Sequence, residues 1–255
     1  MAPGGGAISV RGLRKRYGEL IAVDGISFDV RQDEIFGLLG PNGAGKTTTV
    51  EILEGLRAPD DGEVMVAGID VRHHPQRVKE LIGVQLQASA FVDNLNLVEL
   101  INMFAALYGR KLDALAMLDR VDLREKAKAL VKNLSGGQKQ RFSIATALVN
   151  DPLVLFLDEP STGLDPQARR NLWDLIEGLR DGRRSIVLTT HYMEEAERLC
   201  DRCAIMDGGH IVSLGTPQEL IQQLLAKGFH KEHIEAAANL EDVFIDLTGK
   251  DLRED

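Results

Sequence analysis

The chain has 255 residues, 44% of them hydrophobic, and a formal charge of −9. That length suits one large α/β domain with small subdomains and leaves ample material for a core. The acidic balance argues against broad nucleic-acid binding, which depends on dense lysine and arginine, and no apolar run approaches the ~18 residues of a membrane-spanning helix. Residues 1–7, a Gly-rich opening, lack the charged and apolar regions of a secretion signal and read as a flexible tail. The expectation is a cytosolic chain whose membrane role, if it has one, falls to another chain.

From Ile8 to Val30 apolar residues alternate in short runs, as in Ile26, Phe28 and Val30, so antiparallel strands are expected over one face of the site that follows. Tyr17, after Arg14-Lys15-Arg16, is either a half-buried packing residue or a stacking platform for a base. Ile35 to Leu39 is a short apolar run with the length of a buried strand. It leads into Gly40-Pro41-Asn42-Gly43-Ala44-Gly45-Lys46-Thr47-Thr48, after which apolar residues recur at helical spacing. A glycine-rich turn from strand to helix is the context that the phosphate-loop pattern G-x-x-x-x-G-K-[ST] requires. Gly43 and Gly45 let successive backbone N–H groups converge on an anion, and the helix dipole adds to them. Lys46 would reach the β- and γ-phosphates and Thr47 would ligate Mg²⁺. A nucleoside triphosphate site is expected here.

Pro59 to Gly62 reads as a turn before the strand Glu63 to Gly68. His73-His74 lies in a polar loop and reads as solvated. Leu81 to Gln87 is a further apolar strand. Asn96-Leu97-Val98-Glu99 has the form of a capped helix start, and a second helical stretch is expected from about Asp113 through Lys132. This all-helical insert lies between two α/β parts. Asn133 to Gln138 breaks the pattern, and Ser135-Gly136-Gly137-Gln138 opens another helix with a second anion-binding terminus.

Leu153 to Leu157 is apolar on both faces, as in a central parallel strand. Asp158 and Glu159 stand at its carboxyl end, where open α/β sheets bind ligands. With a phosphate loop in the same chain, Asp158 is assigned to Mg²⁺ and Glu159 to polarising the attacking water. Ser161-Thr162-Gly163-Leu164-Asp165 follows, with Asp165 as N-cap and Pro166 at the first helical position. Ile186 to Thr190 is another buried strand, closing on His191, which is either a polar strand terminus or a contact for a γ-phosphate. Cys200 and Cys203 form a C-x-x-C pair with no second pair to complete a zinc site, and Cys203 opens an apolar strand, so both are read as packing residues. A hairpin turn is expected at Asp207 to His210 and a capped helix from Pro217 to about Ala226. Leu240, Val243, Phe244, Ile245 and Leu247 make an apolar stripe that must dock.

In this order the segments resemble the ATPase subunit of an ATP-binding cassette (ABC) transporter, over Ile8 to Leu247. GPNGAGKTT is similar to the family's Walker A, LVLFLDEP to its Walker B with the catalytic glutamate, LSGGQKQR at Leu134 to Arg141 to its signature motif, and STGLD to its D-loop. The resemblance implies a doubly wound α/β P-loop NTPase core with an antiparallel β subdomain and an inserted all-helical subdomain. The implied segments are 8–87 and 136–215 for the core with its β subdomain, 88–135 for the helical insert, and 216–255 for a C-terminal extension. It makes Tyr17 the adenine-stacking aromatic, His191 the switch histidine, and Ser161 and Asp165 D-loop residues. Gln87 becomes the glutamine that senses metal and water, with Gln85 as the alternative, because Leu86 stands where the family usually has proline. ATP and Mg²⁺ are the implied cofactors. The implied partners are a transmembrane permease on a separate chain and a second nucleotide-binding subunit, paired head to tail so that each signature helix caps the other's ATP. Localisation would be the inner face of the cell membrane. IGVQLQ and the ending NLEDVFIDLTGKDLRED resemble antibiotic- and multidrug-export ATPases. A soluble ABC ATPase, such as one of iron–sulfur assembly, is the rival within the family. A nucleotide sensor that does not hydrolyse is disfavoured by the presence of Glu159.

Overall fold

A computed structural model of the chain describes residues 6–85, 91–227, 229, 243, 246 and 247. Two sheets organise it. The larger runs in the order β10-β9-β3-β8-β7-β6, formed by β3 (Ile35–Leu39), β6 (Ile82–Gln85), β7 (Val154–Asp158), β8 (Ser185–Thr190), β9 (Arg202–Asp207) and β10 (His210–Gly215). Every pairing is parallel except that of β10 with β9. That last pair is joined by the expected hairpin turn, where Gly208 and Gly209 take φ of 52° and 82°, as a two-residue type I′ connection needs. The smaller sheet is antiparallel, in the order β2-β1-β4-β5, from β1 (Ile8–Tyr17), β2 (Leu20–Val30), β4 (Asp61–Val66) and β5 (Ile69–Asp70). The α/β core with a separate antiparallel sheet is the architecture expected from the sequence.

Alternation along the central strands divides the interior into two cores. Phe36, Leu38, Phe156, Val187, Ala204 and Met206 face the antiparallel sheet and helices α1 (Lys46–Leu53) and α2 (Pro75–Leu81). Ile35, Leu39, Leu155, Leu157, Ile186, Leu188 and Ile205 face the opposite way. There they meet α5 (Gly136–Ala147), α6 (Pro166–Gly178), α7 (Met193–Leu199) and α8 (Pro217–Ala226), whose buried residues belong to the same cluster. A sheet apolar on both faces needs covering on both, which explains the unbroken hydrophobic runs of β3, β7 and β8.

The insert begins with α3 (Leu97–Leu107), whose Asn96 and Glu99 form the expected capping box. The single second helix expected from Asp113 to Lys132 is not found. Instead α4 (Ala114–Asp119) is short, and 3₁₀ turns follow at Arg124–Lys126 and Val131–Asn133. Asp122 takes φ of 53°, which an α-helix cannot continue through, so Val121 and Leu123 bury their side chains from a turn. β4 also starts two residues before the expected Glu63, and Leu81 belongs to α2 rather than to the strand after it. Of the C-terminal stripe, Val243 is buried in the main core and Leu247 packs against it; Leu240, Phe244 and Ile245 lie outside the described residues. Among the described residues no helix is long and apolar enough to cross a membrane.

Candidate nucleotide site

Strand register assembles the site. Leu39 of β3 is level with Thr190 of β8, and Asp158 of β7 is level with Thr189. The phosphate loop after β3, Glu159 after β7 and His191 after β8 therefore emerge side by side at the carboxyl edge of the sheet. Three segments more than 100 residues apart at the extremes meet because their strands end together.

The loop has the conformation its glycines allow. Gly40, Gly43 and Gly45 have φ of 153°, 78° and 99°. At two of them a side chain has no room: a Cβ on Gly40 would stand 2.3 Å from the Met206 carbonyl oxygen, and one on Gly45 would stand 2.3 Å from that of Ala22. The amide of Ala44 donates to Pro41 at 3.2 Å, and Gly209 donates to the Ala44 carbonyl at 3.1 Å. Asn42, Gly43 and Thr47 are exposed, Pro41 and Thr48 half-buried. Lys46 opens α1 and is buried, its ammonium donating to the carbonyls of Gly40 at 2.7 Å and Pro41 at 3.0 Å. Burial pulls its pKa down, and the negative charges of Glu159 and Asp158 oppose that fall. A half-neutralised cradle of N–H groups with one lysine and two acids suits a polyphosphate with its counter-ion.

Asp158 accepts from the Thr189 hydroxyl at 2.5 Å. Glu159 has φ of 45°, an uncommon conformation for a non-glycine residue and one that collects at functional sites. Its amide is held by the Thr189 carbonyl at 3.1 Å and lies 3.1 Å from the Thr189 hydroxyl. Its carboxylate takes a hydrogen bond from the Thr162 hydroxyl at 3.2 Å and lies 3.3 Å from Nδ1 of His191. Among the described residues no group of three or more His, Cys, Asp or Glu forms a metal site by itself. One hydroxyl from Thr47 and one carboxylate from Asp158 are a hard-oxygen donor set suited to Mg²⁺, which usually completes its shell with phosphate and water.

Tyr17 ends β1, paired with Leu20 across the hairpin, and is partly exposed. Two residues beyond Leu20, Ala22 supplies the carbonyl that abuts Gly45, so the hairpin tip is tied to the phosphate loop. Lys15 and Arg57 approach the Tyr17 ring, with Nζ and Cζ 5.7 Å and 5.5 Å from its centre. At the start of α5, Ser135 and Gln138 form a capping box. The Gln138 amide donates to the Ser135 hydroxyl at 3.3 Å, and the Ser135 amide donates to the Gln138 side chain at 3.0 Å. Ser135 and Gly136 are exposed. A Cβ on Gly137 would lie 3.2 Å from that of Ala168, and one on Gly136 would lie 3.6 Å from the Leu164 side chain. This turn thus packs on the start of α6, and among the described residues no hydrogen bond joins it to the chain's own phosphate loop. Asp165 caps α6 by accepting from Gln167 and Ala168 at 3.0 Å and 2.9 Å, and Ser161 is wholly buried.

Gln85 and Gln87 separate. Gln85 ends β6 beside Leu157, is buried, and donates from its side chain to Gln140 of α5 at 3.2 Å. Gln87 lies outside the described residues. His73 pairs with Asp70 at 2.9 Å on the surface, so the histidine pair expected to be merely solvated holds one local carboxylate. Cys200 and Cys203 are buried free thiols. Burial raises both pKa values, that of Cys203 to about 12. A Cβ on Gly37 would lie 2.7 Å from Cys200 Sγ, so this pair packs, as expected. Thr189 and Tyr192 join these residues without any motif to mark them, and Thr162 joins them from within the STGLD segment. Thr189 was legible only as a hydroxyl in an apolar strand one residue from its end, and its partner Asp158 is set by register.

The chain matches the family described as ABC transporter over residues 23–162, more than half its length. It is 44% identical over 219 residues to the Nod factor export ATP-binding protein I of Ralstonia nicotianae, covering 84% of this chain and 68% of that protein. It is 36% identical to the protein of that name from Burkholderia orbicola, over 97% of this chain and 98% of the other. Among solved structures, an ATP-binding subunit of an ABC transporter superimposes with a TM-score of 0.80 at 26% identity, covering 94% and 99% of the two chains. A dimeric ATP-binding cassette in a post-hydrolysis state bound to ADP and Pi shares the fold with a TM-score of 0.73 at 24% identity, covering 82% and 98%. A phosphate loop, an acid pair and a histidine brought level on one sheet edge, within a chain so related, identify it as an ATP-hydrolysing member of the ABC transporter family.

Proposed function

We propose that this chain powers an exporter, working as one of two nucleotide-binding subunits beneath a permease carried on a separate chain, peripheral on the cytoplasmic face of the membrane. The export direction rests on the printed names of its relatives and on the resemblance of IGVQLQ and the C-terminal segment to drug- and antibiotic-export ATPases. The same names favour transport over a soluble role. The cargo pocket belongs to the permease, and nucleic acid has no part. The division into a core of 8–87 and 136–215, a helical insert of 88–135 that carries the permease contact, and an extension of 216–255 belongs to this reading.

The residue roles follow from the site. Gly40 to Thr48 wraps the phosphates, Lys46 neutralises the β- and γ-phosphates, and Tyr17 stacks on adenine. Thr47 and Asp158 hold Mg²⁺, with Gln87 as the third protein group. Mg²⁺ supplies charge withdrawal from the phosphate oxygens it touches. Glu159 takes the proton of the attacking water, and His191, whose Nδ1 faces Glu159, turns Nε2 toward the γ-phosphate. Ser161 and Asp165 shape the D-loop.

One observation carries the pairing. The capped start of α5 is exposed and, among the described residues, has no hydrogen bond to its own phosphate loop, yet it offers the Ser135 hydroxyl and the Gly136 and Gly137 amides to a phosphate. A second copy, or a related subunit, turned head to tail would bring Ser135, Gly136, Gly137 and Gln138 onto the first subunit's ATP. The test is Glu159→Gln. Loss of the base costs about 10²–10⁴ in rate while binding survives, so ATP should move the variant from monomer to dimer on a sizing column at high protein concentration, and ADP should not. Adding Ser135→Arg should abolish that dimer. Stable dimers in the double variant would contradict head-to-tail pairing, and full turnover by Glu159→Gln would remove Glu159 from the mechanism.

A further inference from the structure

Behind the His191–Glu159 pair lies a set of side chains that the phosphate chemistry does not use. The Tyr192 ring stands 4.2 Å, centre to centre, from the His191 imidazole, tilted by 39°. The guanidinium carbon of Arg169, from the second turn of α6, lies 4.6 Å from the centre of the same tyrosine ring. Glu195, three residues after Tyr192, is fully buried in α7. Glu195 accepts from the Trp173 indole N–H at 2.9 Å. One buried acid therefore ties α7, which follows Tyr192 directly, to α6.

A buried acid is a poor device for stability alone. Its desolvation is costly, and an apolar set of the same volume would hold the fold as well or better. What such a network supplies is a fixed geometry. His191 needs that, because its imidazole is one-third exposed and meets Glu159 through Nδ1 at 3.3 Å. A ring turned over would put the carbon Cδ2 where Nδ1 stands and lose that contact. An aromatic face at stacking distance restricts the turn, and a cation on the aromatic ring holds the ring itself.

We propose that Tyr192 is a positioning residue that fixes the plane of the His191 imidazole against Glu159, that Arg169 holds the tyrosine ring, and that the Glu195–Trp173 bond holds the helix that follows it, so that α6 with its D-loop cap and the histidine move as one body. This rests on the reading of His191 and Glu159 as the catalytic pair. Tyr192 acts through its ring, not its hydroxyl, and it acts only through the histidine.

The experiment measures steady-state ATP hydrolysis by the full chain, with thermal unfolding as a control, for Tyr192→Met, Tyr192→Leu, Tyr192→Phe, His191→Ala and the Tyr192→Met/His191→Ala pair. Tyr192→Met, close in volume and flexible, is expected to lower kcat about tenfold, within the range of coupling between side chains in contact, with KM for ATP unchanged within about twofold. Tyr192→Phe should recover most of that loss. In the His191→Ala background the tyrosine substitution should cost nothing further. Wild-type kcat in a folded Tyr192→Met or Tyr192→Leu, an additive loss in the double variant, or a loss confined to KM would each overturn the proposal. Should Tyr192→Met unfold at assay temperature, Tyr192→Leu at lower temperature decides it by the same cycle. If His191→Ala itself turns over normally, it is the catalytic-pair reading that fails; if His191→Ala is impaired and Tyr192→Met is not, only the positioning role fails.

Discussion

The carbonyl oxygen of Ala22 stands 2.3 Å from where a Cβ on Gly45 would be. The antiparallel sheet is thus pressed against the phosphate loop, backbone to backbone, at the residue before Lys46. Neither side is a flexible side chain that can swing away.

Gly45→Ala should therefore cost more than Gly43→Ala. Both positions have positive φ, which costs an alanine about 1–2 kcal/mol. At Gly43 the added methyl meets open space, and the penalty ends there. At Gly45 it adds overpacking of about 1–3 kcal/mol, relieved only by moving the loop. Urea unfolding with a nucleotide-binding titration checks this: Gly45→Ala should be the less stable variant and should lose ATP binding. The opposite order would show that the two backbones are not truly pressed together.

Tyr17→Ala should weaken ATP binding by about 1–3 kcal/mol, the range for stacking of a base on an aromatic side chain, while Tyr17→Phe keeps most of the affinity. The ring already has Lys15 and Arg57 beside it, so removing it also leaves two cations without their aromatic face. An unchanged dissociation constant in Tyr17→Ala would reduce the residue to packing.

Glu54, at the end of α1, is buried, and its carboxyl is pushed up to about 8 by burial first, then by Asp158 and Glu51. In the unfolded chain it ionises near the ordinary value of 4.5. Between those values the native state holds a proton that the unfolded state has released, so stability falls as pH rises from about 4.5 through about 8. Its contribution is complete below that window. Glu54→Gln should flatten that fall and be the more stable protein at pH 8 by about 1–3 kcal/mol, the cost of an uncompensated buried group. Melting curves for the two proteins that run parallel across the window would place the pH dependence on other groups.

What was legible in the sequence divides along physical lines. The phosphate loop, the acid pair at the end of β7 and the caps of α3, α6 and α8 are local: glycines with positive φ, a side-chain oxygen three residues before a free amide, and proline at a first helical position all act within one turn. The fold class was equally open, because strands apolar on both faces demand cover on both. The break at Asp122 was not visible, since the apolar spacing across 113–132 is the same whether Val121 and Leu123 are buried from a helix or from a turn. Thr189 and Tyr192 were missed for another reason. Their partners Asp158 and Arg169 come from other segments, and only strand register or helix packing puts them in reach. Gln85 shows the same limit, since its bond to Gln140 of α5 joins segments that sequence spacing does not bring together.

Strand order has a consequence for how the protein is made. β3, which carries the phosphate loop, lies between β8 and β9, so residues 35–39 have no neighbour in the sheet until residues 185–207 exist. At about 5–20 residues per second, the ribosome exposes this apolar strand and its loop for roughly 7–30 s before either flank emerges. During that interval the antiparallel sheet and α1 can cover one face of β3, but both its edges stay open to any other strand. A nascent chain stalled before β8 should bind no nucleotide and should need a chaperone to stay in solution. ATP can therefore enter only after the last two parallel strands have docked, and nucleotide binding to ribosome-bound chains of increasing length would report that docking.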